Sequence, residues 1–151
     1  MAISALLKNH LDSMVASTGP AKELKAVLDR QQIAPGQTVT DAVTLTVVGM
    51  LSGIITGIQS SGSTNALTLP TGTVMDAAMP NVAINSSFDF TIINASAAAA
   101  DTYTLTAAAT GFTIVGKAII DGIHASVFGS GSATFRCRKT AANTFVAYRI
   151  N

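Results

Sequence analysis

The sequence predicts an all-β domain, a β-barrel or a jelly-roll-like sandwich, with short N-terminal helices ahead of it. The segment from 86 to 150 contains four or five short runs that are typical of strands. In the first run, Phe88, Phe90 and Ile92 alternate with polar residues, and this period of two places the apolar side chains on one face of a sheet. Composition agrees, because β-branched residues are abundant and charged residues make up only 11% of the chain, a balance that favours strands over helices.

A second alternating run, ATFRCRKT, places Phe135 and Cys137 on one face of a strand and Arg136 and Arg138 on the other. Such a strand can contribute to the core with one face and to a contact surface with the other. Cys137 is therefore expected to be a small buried hydrophobic residue. A single cysteine excludes an intrachain disulfide and fits synthesis in a reducing cytoplasm.

Length and charge limit the possible functions. The 151 residues suit one domain with a real hydrophobic core, and the scarcity of charge predicts self-association. A net charge of +1 gives no overall electrostatic footprint for nucleic acid or an anionic membrane. The first residues lack the basic start and uninterrupted apolar core of a signal peptide.

The N-terminal 36 residues predict a helical arm ahead of a β-rich domain over 37–151. Apolar residues recur at helical spacing in the first segment, at Leu6, Leu7, Leu11, Met14 and Val15. Breaks at Gly19-Pro20 and Pro35-Gly36 bound a second amphipathic helix over 21–33. The two helices either pack on the β domain or form an arm that reaches a neighbour, and for the first helix we favour the arm.

The segment from 37 to 59 allows two interpretations. Gly49, Gly53 and Gly57 stand four residues apart in a charge-free run, a pattern that resembles transmembrane helix packing. The run is at the short limit for a bilayer span, and threonines interrupt it. We therefore predict no membrane helix, but a strand over 38–48, a turn or single helical turn from 49 to 53, and a strand over 54–58.

The remaining elements follow from local signals. ALTLP predicts a short strand, and TGTVMDAAMP predicts one or two helical turns that Thr71 or Thr73 caps and Pro80 ends. NASAAAAD is expected to be a loop. TYTLTAAATGFTIVG has the pattern of a hairpin, and IIDGIHASVFGSGSATF is expected to be a connection with turns at its glycines.

Residues suited to catalysis or metal binding are sparse. The histidines, His10 and His124, lie far apart in the sequence, and no phosphate-binding glycine loop is present. The carboxylates that could pair for acid–base chemistry have nothing to bring them together, and we expect turn or strand-surface roles for them: Asp76, Asp89, Asp101 and Asp121. The sequence therefore predicts no enzyme, no cofactor and no metal.

Basic and aromatic residues mix near the C-terminus, as they do in single-strand nucleic-acid sites. The basic residues are Arg136, Arg138, Lys139 and Arg149. However, the arginines alternate with Phe135 along one strand, so the two types face opposite sides of the sheet. We therefore favour contact with an acidic protein surface over nucleic acid.

The order of several runs resembles a known class of protein. ALTLPTGTVMDAAMP, SFDFTIINAS, YTLTAA with GFTIVG, and the ending GSATFRCRKTAANTFVAYRI are similar to small β-rich structural proteins of tailed bacteriophages, the head decoration or capsid cement proteins. The resemblance covers about residues 66–151. Residues 1–60 show no such resemblance.

The resemblance implies a structural protein of the virion. It would bind the exterior of the expanded shell of major capsid protein, as a homotrimer at threefold or quasi-threefold sites, after synthesis in the host cytoplasm. The alternative is a head-fibre or tail adhesin that binds a host receptor or glycan, although aromatic residues make up only 5% of the chain. The residues expected to make protein contacts are Leu6, Leu7, Leu11, Arg136, Arg138 and Arg149.

Overall fold

The computed structural model describes residues 36–60, 64–98, 100–122 and 131–151. The predicted helical arm, including Leu6, Leu7 and Leu11, and the loop that contains His124 lie outside the described residues. The helices predicted over residues 1–33 and the role of the arm therefore stay predictions.

The described part consists mostly of strands in two sheets, so the all-β prediction is confirmed at that level. The strands are β1 (Gln37–Thr40), β2 (Val43–Thr44), β3 (Ile54–Ile58), β4 (Thr64–Thr68), β5 (Ser87–Asn94), β6 (Thr102–Thr106), β7 (Phe112–Val115), β8 (Ile119–Asp121), β9 (Ser132–Ala141) and β10 (Thr144–Arg149). Two short helices, α1 (Val47–Leu51) and α2 (Gly72–Ala78), interrupt them.

The chain alternates between the two sheets from β1 to β8. One sheet has six strands in the order β1-β3-β5-β9-β10-β7, and the other has four in the order β2-β4-β6-β8. From β3 to β6 each strand pairs in parallel with the strand two before it, so β1, β3 and β5 are mutually parallel, as are β2, β4 and β6. Strand β9 then enters antiparallel between β5 and β10, and β10 runs parallel to β7.

The inward side chains of both sheets form one hydrophobic core. From the six-stranded sheet come the stacked pair Phe90 and Phe135, whose ring centroids are 5.6 Å apart. From the four-stranded sheet comes Tyr103, which is fully buried. A Cβ added at Gly57 would lie 2.4 Å from the Tyr103 ring, so the two sheets are in close contact at this point.

Strand β1 ends sooner than the sequence predicted, so the expectation of one strand over 38–48 is wrong. Asp41 adopts a left-handed conformation, with φ of 55°, and its carboxylate accepts hydrogen bonds from the Ser60 N–H at 2.9 Å and hydroxyl at 2.7 Å. This turn sends the chain out of the six-stranded sheet into β2 of the other sheet. A single helical turn is present as α1, two residues earlier than the predicted 49–53. The strand over 54–58 is confirmed as β3.

The hairpin predicted from TYTLTAAATGFTIVG is also wrong. Strand β6 lies in the four-stranded sheet and β7 in the six-stranded sheet, so the two do not pair. Each strand satisfies its period-two pattern against a distant partner, β4 for β6 and β10 for β7. The sequence also missed β8, whose three residues are too short to give a periodic signal.

Helix α2 has the predicted cap. The Thr71 hydroxyl accepts a hydrogen bond from the Val74 N–H at 3.4 Å, and the helix ends before Met79 and Pro80. The three glycines spaced by four lie in α1, after it and in β3, not on one helix. Among the described residues, no helix is long and apolar enough to span a membrane.

Candidate interaction surface

The side of the six-stranded sheet that faces away from the core is the candidate interaction surface, and we call it the outer face. Alternation along each strand and the observed register assign its members, all of which are exposed or half-buried. They are Thr38, Thr40, Ile54, Thr56, Ile58, Ser87, Asp89, Thr91, Ile93, Thr113, Val115, Thr134, Arg136, Arg138, Val146 and Tyr148, with Ile150 beside Thr134.

Arg136 is held in place by Asp89, which lies directly opposite it on β5. The guanidinium donates two hydrogen bonds of 2.8 Å, from Nε to Oδ1 and from Nη2 to Oδ2. This bidentate bond lowers the pKa of the Asp89 carboxyl and raises that of Arg136. Both side chains remain about half exposed, 52% for Arg136 and 41% for Asp89, so water weakens the pair's contribution to stability.

Arg138 has a different environment on the same face. Its Nη2 donates to the side-chain oxygen of Asn85 at 2.6 Å, and Asn85 is fixed by a backbone bond to Lys139 O at 2.8 Å. Its neighbours across the sheet are Ser87 and Val146. Among the described residues, no carboxylate forms an ion pair with Arg138.

Arg149, the third predicted contact arginine, does not belong to the outer face. It lies opposite Phe135, at an inward position of β10. Its Nη1 donates to the backbone oxygens of Lys117 at 3.1 Å and Ile119 at 2.6 Å. The Arg149 side chain therefore connects the end of the six-stranded sheet to the start of β8. The structure places Arg136 and Arg138 on the same face and Arg149 on the opposite side of the sheet.

Apolar side chains flank the charged pair on the outer face. Four large hydrophobic residues there are exposed by roughly half: Ile54, Ile58, Val115 and Ile150. Val115 shares a row with Tyr148, Arg136 and Asp89, while Ile54 and Ile150 lie on either side of Thr91 and Thr134. Exposed apolar groups beside charged ones are typical of protein contact surfaces.

The predicted separation of Phe135 from Arg136 and Arg138 is confirmed. Phe135 and Phe145 are buried, at 0% and 1% exposure, while Arg136 and Arg138 point away from the core. Tyr148 is half-buried on the outer face. The described residues therefore do not form the aromatic platform with flanking cations that single-stranded nucleic acid requires.

Lys139, the third basic residue of β9, has an inward position. Its ammonium pairs with Oδ1 of Asp76 on α2 and donates to Val82 O at 3.1 Å. Oδ2 of Asp76 accepts from the Asn143 N–H in the β9–β10 turn at 3.0 Å. The hydrogen bond from Lys139 lowers the pKa of Asp76. No sequence pattern signals this contact, which fixes α2 to the hairpin.

Cys137 is buried as predicted, and burial raises the pKa of its thiol to about 12, which makes it a poor nucleophile. Buried polar residues gather where the chain crosses between sheets, but they bond to one another and to backbone: Gln59, Asn94 and Ser96. Within the described ranges, no group of three or more His, Cys, Asp or Glu side chains is placed to hold a metal ion.

Comparison with known proteins adds no assignment: no protein-family model, curated protein or solved structure matches the chain.

Proposed function

We propose that the chain is a capsid decoration protein of a tailed bacteriophage. It binds the exterior of the shell of major capsid protein as a homotrimer at threefold or quasi-threefold sites, and it stabilises the shell across capsomer boundaries. The observation that supports this function best is the outer face. It displays Arg136 and Arg138 on β9, a strand inside the sheet, and half-exposed apolar side chains elsewhere on the same face. The proposed partner, the major capsid protein, comes from the resemblance of the sequence runs to those of decoration proteins.

The fold suits a role that requires binding but no catalysis. A two-sheet sandwich is the arrangement we favour over a closed barrel, because β1, β2, β7 and β8 lie at the ends of their sheets. A protein that binds only the assembled shell stabilises it by ordinary linkage, since binding lowers the free energy of the bound state alone. Neither a catalytic residue nor a cofactor is needed for this activity.

Aromatic burial favours decoration over the adhesin alternative. Receptor and glycan sites commonly display exposed aromatic rings. Of the aromatic residues in the described ranges, Phe88 and Tyr148 are half-buried and the others are buried. The rings of this domain thus serve mainly its core.

A charge reversal on the outer face tests the proposal. Arg136→Glu with Arg138→Glu should preserve the fold, because both side chains are exposed and the exposed pair with Asp89 contributes little to stability. The same variant should show reduced occupancy on purified shells that lack the protein. Circular dichroism and chromatography with light scattering report fold and oligomeric state, and cryo-electron microscopy of the shells reports occupancy. Normal shell occupancy and normal trimerisation of the variant would remove the outer face from the proposal.

The N-terminal arm has a separate test. Deletion of residues 1–18 should leave a folded oligomer and weaken binding to the shell, because the predicted apolar face of that segment carries Leu6, Leu7 and Leu11. Full decoration by the truncated protein would exclude a docking role for the arm.

A further inference from the structure

Within the described ranges, Arg138 is the cation of the outer face that forms no ion pair. The described residues contain five basic side chains and five carboxylates. Three ion pairs form among them, Lys117 with Asp121, Arg136 with Asp89 and Lys139 with Asp76. The two remaining basic residues differ, because Arg149 is bonded to backbone oxygens and Arg138 only to the neutral Asn85 side chain.

The outer face therefore has a net positive charge located at one point. Asp89 and Arg136 cancel each other, and no further charged residue belongs to the face as defined. Asn85 holds the Arg138 guanidinium in one position. This lowers the conformational entropy that the Arg138 side chain loses when a partner binds. An arginine presents five N–H donors, so donors remain free for an incoming carboxylate.

We propose that the outer face docks on a protein surface of the shell that presents a carboxylate opposite Arg138. Apolar side chains of the same partner cover Ile54, Ile150 and Val115. This inference rests on the proposed function and names the chemistry of its partner. A second copy of the chain is disfavoured, because two outer faces brought together would each present a net positive charge to the other, and like charges across an interface oppose association.

The three arginines predicted as contacts consequently have three separate roles. Arg136 fixes β5 to β9, Arg149 joins the sheets, and Arg138 meets the partner. The sequence pattern alone gives Arg136 and Arg138 equal standing, since both occupy the same side of one strand. Only the position of Asp89 and the absence of a carboxylate beside Arg138 within the described part separate them.

The test compares two full-length variants on purified shells that lack the protein. Arg138→Gln should weaken binding about 10- to 100-fold, the loss expected for one charge-assisted contact. Lys117→Gln, which changes net charge equally but lies off the outer face, should bind as the wild type does.

The outcomes separate the two hypotheses. If the wild-type protein does not bind the shells, the proposed function is wrong and this inference falls with it. If the wild type binds and Arg138→Gln binds equally well, only the inference is overturned. Light scattering provides a further check, since loss of the oligomer in Arg138→Gln would assign the face to self-association and also overturn it. Folding of each variant is verified by its thermal unfolding midpoint.

Discussion

Gly57 offers the sharpest test of how the two sheets are held together. It lies in β3 between Val39 of β1 and Asn94 of β5, and it faces Tyr103 of the opposite sheet. A Cβ at this position would be 2.4 Å from Cε2 and 2.9 Å from Cζ of that ring, against 3.4–4 Å for ordinary contact. Tyr103 is fully buried, so Gly57→Ala requires a shift of about 1 Å in a packed core.

The expected cost follows from two opposing terms. Overpacking of this kind destabilises by about 1–3 kcal/mol, and replacing glycine returns about 0.4–1 kcal/mol by restricting the unfolded chain. We therefore expect Gly57→Ala to lower the free energy of unfolding by about 1–2 kcal/mol, measured by urea denaturation at fixed protein concentration. Thr113→Ala, at an exposed position of β7, is the control and should change stability by no more than about 0.5 kcal/mol.

A double-mutant cycle isolates the contact. Tyr103→Leu alone should destabilise strongly, because it leaves a cavity. In that background the added methyl of Gly57→Ala has room, so its effect should fall to zero or become stabilising, giving a coupling energy of about 1 kcal/mol or more. Additive effects within about 0.5 kcal/mol would show that Gly57 and Tyr103 do not set the spacing of the sheets.

Two further predictions concern titratable groups. Cys137 should resist thiol-specific reagents at pH 8 in the native protein and react once denaturant unfolds it, because burial raises its pKa to about 12; rapid native labelling would place it outside the core. The lowered pKa values of Asp76 and Asp89 mean that their contribution to stability is present above the unfolded value of 3.8 and is lost as pH falls through the folded values. The thermal unfolding midpoint should therefore fall when the pH is lowered below about 4. Asp76→Asn, which removes the partner of Lys139, should lower the midpoint at pH 7 and should make its fall at acidic pH smaller. An unchanged acid decline in Asp76→Asn would assign that decline to other carboxylates.

Local signals in the sequence were sufficient for the elements that depend on near neighbours. The alternation in β5 and β9 predicted which side of each strand is buried, and Thr71 and Pro80 predicted where α2 begins and ends. In each case the signal and the structure lie within about ten residues.

The assignment of strands to sheets could not be predicted in this way. Strand β6 pairs with β4, about 38 residues earlier, and β7 pairs with β10, about 33 residues later. An alternating strand is satisfied by any partner that buries its apolar side, so the pattern fits a hairpin and a distant parallel pair equally well. Asp41 and Ser60 decide the first crossing between sheets, and that contact has no local signature.

The topology also explains why the outer face can serve as a docking surface. Because β9 enters between β5 and β10, its arginines lie in the interior of the sheet rather than at an edge, where strands are least constrained. Backbone hydrogen bonds to β5 and β10 fix β9 on both sides. Asp89 on β5 holds Arg136, and Asn85, two residues before β5, holds Arg138. Arg138 can therefore contact a partner carboxylate without the prior ordering of a loop. Replacement of Arg138 should raise the dissociation rate of the complex and leave the fold unchanged. A variant that lost binding only together with a lowered unfolding midpoint would contradict this division between scaffold and contact.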